Sequence, residues 1–195
     1  MRKKVFISIF ILAIVGWAGY YYFFKGSQNA TAEPSAGPLV VEPSSDAFTR
    51  SLQDVMQDYF AMTAAFTLED SAKANASANE LSQSIEAIAI KELKADTSIV
   101  ALAASLSSNI KVEVNKIPTE KNWDEKRHAL QISSDMLFDL LRTVQYKGGK
   151  VYQQFCPMAF DNSGANWLST TAEIRNPYFG DKMLECGELK DSLQF

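Results

Sequence analysis

The chain has 195 residues, of which 47% are hydrophobic and 22% charged, a composition typical of a packed domain and unlike that of a disordered chain. Its 19 basic and 23 acidic residues give a net charge of −4, and four of the basic residues lie among the first 25, so the remainder carries −8 and is a poor partner for nucleic acid. A single histidine excludes the common multi-histidine zinc, haem and di-iron sites, and two cysteines exclude a disulfide-rich scaffold.

The N-terminal segment predicts a membrane anchor. Residues 5–24 form an uncharged run, which as a helix would be about 30 Å long, the thickness of the hydrocarbon core of a bilayer. Arg2, Lys3 and Lys4 precede the run, and the positive-inside rule then places the N-terminus in the cytoplasm and the rest of the chain outside it. The alternative is a cleaved signal peptide, which normally has a shorter apolar run followed by a small-x-small cleavage site. We expect residues 1–25 to be a single inner-membrane helix that holds a periplasmic domain in the cell envelope.

Residues 26–45 predict a flexible linker. They hold three of the six prolines together with Ser, Ala, Thr and Gly, and they show neither helical nor strand periodicity. The domain proper then begins at Asp46 and extends to residue 195.

Four stretches after residue 45 show apolar residues at helical spacing. Start signals precede three of them: Thr67 with Asp70, Asp96 or Thr97, and Asn122 with Glu125 in a capping box. We expect an all-α fold, an antiparallel four-helix bundle in which the stripes form the core rather than a chemical site. The stripes are Phe48, Leu52, Val55, Met56, Tyr59, Phe60 and Thr63; Ala74, Ala78, Leu81, Ile85 and Ile88; Ile99, Leu102, Ala103, Leu106 and Ile110; and Leu130, Leu137, Phe138, Leu141 and Val144.

Residues 150–195 predict an irregular cap on the bundle. Helical periodicity stops, turn residues are frequent, and strand-like alternation is visible only over residues 151–155. Both cysteines lie here, each near a methionine, in the order Cys156, Met158, Met183 and Cys186. Thiolates and thioethers are soft ligands that favour copper(I) or silver(I) over magnesium or calcium. If the two halves of the cap meet, these four side chains could form a soft-metal site.

Two other states of the cysteines remain open at this point. A Cys156–Cys186 disulfide would close a loop of about 30 residues and stabilise the domain by roughly 3 kcal/mol in an oxidising compartment. The third alternative is a pair of separate thiols. The disulfide and the metal site could also be redox-linked states of one pair.

Nothing in the sequence indicates an enzyme. Glu125 and His128 have the Glu-x-x-His spacing of di-iron bundles, but such sites need a second copy of this element and the chain has no second histidine. We therefore expect His128 to be an ordinary surface or hydrogen-bonded residue. Phosphate-binding glycine loops and the nucleophile elbow of serine hydrolases are missing from the sequence.

The cap resembles a bacterial family of uncharacterised domains that occur as exported proteins and as appendages of the membrane-fusion subunits of heavy-metal efflux pumps. The resemblance covers residues 46–193, and it is carried by Cys-Pro-Met at 156–158, Trp-Leu-Ser at 167–169, Ile-Arg-Asn-Pro-Tyr-Phe-Gly at 174–180 and Met-Leu-Glu-Cys-Gly at 183–187. It implies a helical bundle and an association with copper and silver export, but no assigned reaction.

Together these observations predict a non-enzymatic protein that binds copper(I) or silver(I) in the envelope and either buffers the ion or passes it to an efflux partner. The alternative is a structural module, stapled by the disulfide, that docks another envelope protein.

Overall fold

The computed structural model of the protein describes residues 40–42 and 45–195. The predicted anchor, residues 1–25, and most of the predicted linker, residues 26–45, lie outside the described residues. Within the described part, no helix combines the length and the hydropathy that crossing a bilayer requires.

Four long helices follow one another, as the sequence predicts. They are α1 (Asp46–Thr67), α2 (Ser71–Glu86), α3 (Thr97–Val114) and α4 (Trp123–Thr143). A short 3₁₀ turn, Ile90–Glu92, lies between α2 and α3. Each helix packs against the next one along the chain, so short connections suffice to build the bundle.

Side-chain caps fix where three of these helices begin, and the sequence shows the cap at two of them. The Asp70 carboxylate accepts a hydrogen bond from the Lys73 amide at 2.9 Å, and the Asn122 side chain accepts one from the Glu125 amide at 2.8 Å. Thr67, which the sequence suggested as a helix start, is instead the last residue of α1. Asp70 directly precedes the first residue of α2 and so occupies the cap position, whereas the Thr67 hydroxyl donates to the Thr63 carbonyl within α1.

Residues 40–42 pair with the segment that precedes α3. Val41 bridges Ala95 in antiparallel fashion. The Val40 amide donates to the Asp96 carboxylate at 2.7 Å, so this carboxylate holds the end of the predicted linker and makes no cap hydrogen bond to α3.

The predicted apolar stripes form the core, with one clear exception. Tyr59, Leu81, Ile110 and Leu137 are among the fully buried side chains. Leu102, in contrast, is 49% exposed, so this position of the predicted stripe lies outside the core.

The prediction of an all-α fold with an irregular cap is wrong for residues 150–195. Three antiparallel strands, β1 (Val151–Cys156), β2 (Ala165–Ser169) and β3 (Glu188–Leu193), form a sheet in the order β2-β1-β3. Strand β3 is not recognisable from hydrophobic alternation in the sequence, because most of its side chains are exposed and several are charged. A register shift between Gln153 and Gln154 further disturbs the alternation in β1.

A buried hydroxyl joins the sheet to the bundle. Strand β2 contacts both α1 and α4. The Leu168 amide donates to the Tyr59 hydroxyl at 3.0 Å, and Ser134 lies 2.7 Å from the same oxygen. Ser134 donates its own proton to the Leu130 carbonyl at 2.6 Å, so Tyr59 is the donor to Ser134. This chain of hydrogen bonds fixes β2 in the groove between the two helices.

A second tyrosine hydroxyl covers the same outer edge of β2. Tyr178 donates to the Asn166 carbonyl, two residues before the amide that Tyr59 accepts from. Unpaired strand edges attract other strands. The two tyrosines occupy this edge with side-chain hydrogen bonds, and the sheet ends there without a further strand.

We expect Tyr59→Phe to lower the free energy of unfolding by about 1–3 kcal/mol, because the buried Leu168 amide loses its acceptor. Urea denaturation of the full-length chain measures this change. Tyr146→Phe is the matched control, because Tyr146 is also buried but its hydroxyl makes no hydrogen bond with the described residues. Its effect should stay within about 0.5 kcal/mol. Equal effects of the two variants would show that the Tyr59 hydroxyl does not hold the sheet.

Candidate functional site

The structure brings the two cysteines together. Cys156 is the last residue of β1 and is fully buried, Cys186 lies just before β3 and is half-buried, and their sulfurs are 3.6 Å apart as free thiols. Two thiolates on one tetrahedral metal ion with bonds of about 2.3 Å would lie about 3.8 Å apart. The pair therefore has a separation that suits joint metal binding, and it also suits oxidation to a disulfide.

Close approach of the chain at Gly187 places Cys186 beside Cys156. Gly187 has a φ of +152°, and a Cβ atom there would lie 2.8 Å from the Trp167 ring and 2.9 Å from the Phe155 carbonyl oxygen. Only glycine fits such a backbone conformation and such a contact without a shift of its neighbours. The Cys-Gly dipeptide is thus a steric requirement of the thiol pair.

Asn176 holds the segment that carries Cys186. Its buried side chain donates to the Cys186 carbonyl at 2.6 Å and accepts from the Tyr178 amide at 2.7 Å, while its own amide donates to the Leu184 carbonyl at 2.7 Å. Asn176 lies in the motif at residues 174–180, and the structure gives it this bridging role. Two of these hydrogen bonds tie Asn176 to the segment of Leu184 and Cys186, and the third closes the turn to Tyr178.

Burial is the main cause that raises the pKa of the Cys186 thiol above its ordinary value of 9.0, and the hydrogen bond with Cys156 raises it further. The thiol is therefore protonated at neutral pH. A soft metal ion must displace this proton to bind, so its binding should strengthen as the pH rises.

The two methionines share a cleft that neither cysteine lines. Met158 and Met183 line a cleft of about 680 Å³ next to α4, and neither cysteine lines it. We call it the methionine cleft; its walls include His128, Met158, Phe160, Tyr178, Phe179 and Met183. Of the four predicted sulfur ligands, the structure shows the two thiols in contact with each other and the two methionines on the wall of this cleft.

His128 lies on the wall of the methionine cleft. It is exposed, as expected, and its ring stacks on Phe160 with centroids 3.8 Å apart and planes 18° apart. The stacking partner, which sequence reasoning did not identify, comes from the turn Ala159–Asn162 that follows β1.

This turn has a left-handed backbone. Phe160, Asp161 and Asn162 have φ angles of 51°, 54° and 68°, and Gly164 follows at 81°. A left-handed conformation is uncommon for residues other than glycine, and a bulky residue such as phenylalanine adopts it only where the surroundings require it. The sequence signal was the run Asp-Asn-Ser-Gly at 161–164, which is rich in turn residues but does not reveal that Phe160 would lie under His128.

The described residues hold no cluster of the usual metal-ligating side chains. Across residues 40–42 and 45–195, no three or more His, Cys, Asp and Glu side chains come together in a group that could hold a metal ion.

Among known proteins, the helical bundle matches one family. Residues 55–148 match the family described as Protein of unknown function (DUF3347). The DUF3347 match includes most of α1 and all of α2, α3 and α4, and it ends before β1. No curated protein and no solved structure matches the chain. The match supports a domain of unknown function over the bundle, and the sheet with both cysteines lies outside the matched residues.

We expect Asn176→Ala to lower the free energy of unfolding by about 2–4 kcal/mol, because the Tyr178 amide and the Cys186 carbonyl lose their partners. The variant should also form a Cys156–Cys186 disulfide more slowly when it is treated with a mild oxidant. The reaction is monitored by intact mass, which decreases by two hydrogens when the disulfide forms. Asn109→Ala, at an exposed position of α3, is the control and should change neither quantity appreciably. Unchanged oxidation in a destabilised Asn176→Ala variant would contradict the role of Asn176 in holding Cys186.

Proposed function

We propose that this protein is a non-enzymatic, membrane-tethered domain that binds copper(I) or silver(I) in the cell envelope. The Cys156 and Cys186 thiolates are the principal ligands. The observation that carries this proposal is the 3.6 Å separation of the two sulfurs, which lets one ion contact both.

The chemistry of the neighbouring side chains supports a soft cargo. Met158 is two residues from Cys156, and Met183 is three residues from Cys186, so each thiol has a thioether close by in the chain. The half-buried position of Cys186 gives an ion access to the pair, while the full burial of Cys156 protects the bound ion from water.

The sequence supports the proposed location in the envelope and the proposed partners. The uncharged run at residues 5–24 and the basic residues before it support an inner-membrane anchor with the domain in the periplasm. The resemblance to domains appended to heavy-metal efflux subunits supports an efflux protein, or another envelope protein, as the recipient of the ion. The acidic domain does not suit nucleic acid.

Copper(I) titration against a competing chelator tests the proposal. The double variant Cys156→Ser/Cys186→Ser should bind copper(I) more than about a hundredfold more weakly, equivalent to about 2.8 kcal/mol. Because the Cys186 thiol proton must leave, binding to the unmodified chain should strengthen between pH 6 and pH 8, and this pH dependence should disappear in the double variant. Thermal unfolding of both proteins checks that the fold is retained. Equal affinities would overturn the proposal.

The same sulfur separation also favours a second function. In this alternative the protein is a structural module that is crosslinked by a Cys156–Cys186 disulfide and docks another envelope protein. In that case protein isolated from an oxidising compartment should resist thiol alkylation and should lack two hydrogens in its intact mass. Reduction should lower the melting temperature by roughly 6–12 °C, as expected for a crosslink of about 3 kcal/mol in a domain of about 150 residues. Two alkylated thiols in freshly isolated protein would contradict the staple.

A further inference from the structure

We propose that His128, Met158 and Met183 form a second binding site for a soft monovalent cation in the methionine cleft, separate from the thiol pair. The site itself needs no thiol. Its role as the entry point from which the ion reaches Cys156 and Cys186 rests on the function proposed above.

The donor set suits copper(I) or silver(I). Two thioethers and an imidazole line the same cleft, and these are ligand types that soft and borderline ions accept while hard ions do not. Thioethers carry no proton at any pH, so an ion can bind them without the deprotonation that the thiols require.

The exposure of the methionines is unusual for core fillers. Met56 and Met62 are almost completely buried, whereas Met158 is 47% exposed and is the only exposed methionine among the five that the structure describes. Exposing a thioether forgoes the stabilisation that burial of an apolar side chain provides. Met158 thereby presents a thioether on the cleft wall, where an entering ion can reach it.

The histidine is oriented and available. Its ring nitrogens make no hydrogen bond with the described residues, and the stack on Phe160 fixes the plane of the ring while leaving its edge open. Phe160 in turn makes an edge contact with Tyr178, at 5.7 Å between centroids. The left-handed turn at residues 160–162 thus serves to hold an aromatic platform beneath His128.

The charges of the cleft favour a cation. Asp124 and Asp161 line it, and Arg127 is the only basic side chain on its described walls. Arg127 forms ion pairs with Glu69, 2.6 Å away, and with Asp124, 3.8 Å away, so its charge is compensated. A cation entering the cleft therefore meets no uncompensated positive side chain.

The cleft is connected to the thiol pair by short segments. Met158 follows Cys156 by two residues and Met183 precedes Cys186 by three, so the Cα atoms of each pair are at most about 7 and 11 Å apart. Transfer is a ligand exchange: the bonds from the metal ion to the thioethers and the imidazole break, two bonds to thiolates form, and two thiol protons pass to solvent. The oxidation state of the ion does not change.

The test uses silver(I) with the full-length chain carrying ¹³C-methyl methionine, in the Cys156→Ser/Cys186→Ser background and in chloride-free buffer. We expect the methyl signals of Met158 and Met183 to shift and to saturate together, while those of Met56 and Met62 stay in place as internal controls for the fold. Signals that do not move, or that all broaden together, would overturn the proposal.

Substitutions define the ligands. In the same background, Met158→Leu, Met183→Leu and His128→Ala should each weaken silver(I) binding by about tenfold or more, whereas Met136→Leu, a partly buried methionine outside the cleft, should not change it. Equal binding by all four variants would contradict the site.

The two proposals fail in different ways. If the methionine signals respond to silver(I) but the cysteines do not affect copper(I) affinity, the cleft binds an ion and the thiol site is wrong. If the cysteines control affinity and the methionine signals are silent, the thiol site stands and the cleft site is wrong.

Discussion

The Tyr59 hydroxyl is the interaction on which the arrangement of the candidate sites depends. It is buried in the bundle, donates to Ser134 and accepts from the Leu168 amide, and so fixes the sheet on α1 and α4. A buried polar group must be satisfied, and here each partner satisfies the other across two structural layers. The docked sheet then determines where β1 ends, and hence where Cys156 lies.

The thiol pair and the methionine cleft are chemically complementary. The Cys186 thiol is protonated at neutral pH because burial raises its pKa, whereas the thioethers are always unprotonated. Thiolates hold a soft ion more strongly, but only after protons leave. Under the two proposals, a weaker thioether site next to a stronger, proton-linked thiol site would give an ion a path of increasing affinity, and the affinity of the final site would vary with pH.

The bundle and the sheet have different tasks in this arrangement. The DUF3347 match covers the helices and stops before β1, and the helices contribute mainly core side chains together with His128 and Arg127 at the start of α4. The cysteines and the cleft methionines all come from the sheet and its loops. Precisely placed loops on a rigid helical scaffold are a common way to build a binding site.

The sequence by itself determined the four helices, because apolar residues at a period of 3.6 and caps such as Asp70 and Asn122 act locally. It also identified the two cysteines and two methionines as the chemically distinctive residues. Only the tertiary structure decided that residues 150–195 form a sheet. Strand β3 pairs with β1, which lies about 35 residues earlier in the chain, and β3 has little apolar alternation of its own. It likewise brought the two thiols into contact, because Gly187 and Asn176 hold Cys186 beside β1, and it placed both methionines on the wall of one cleft.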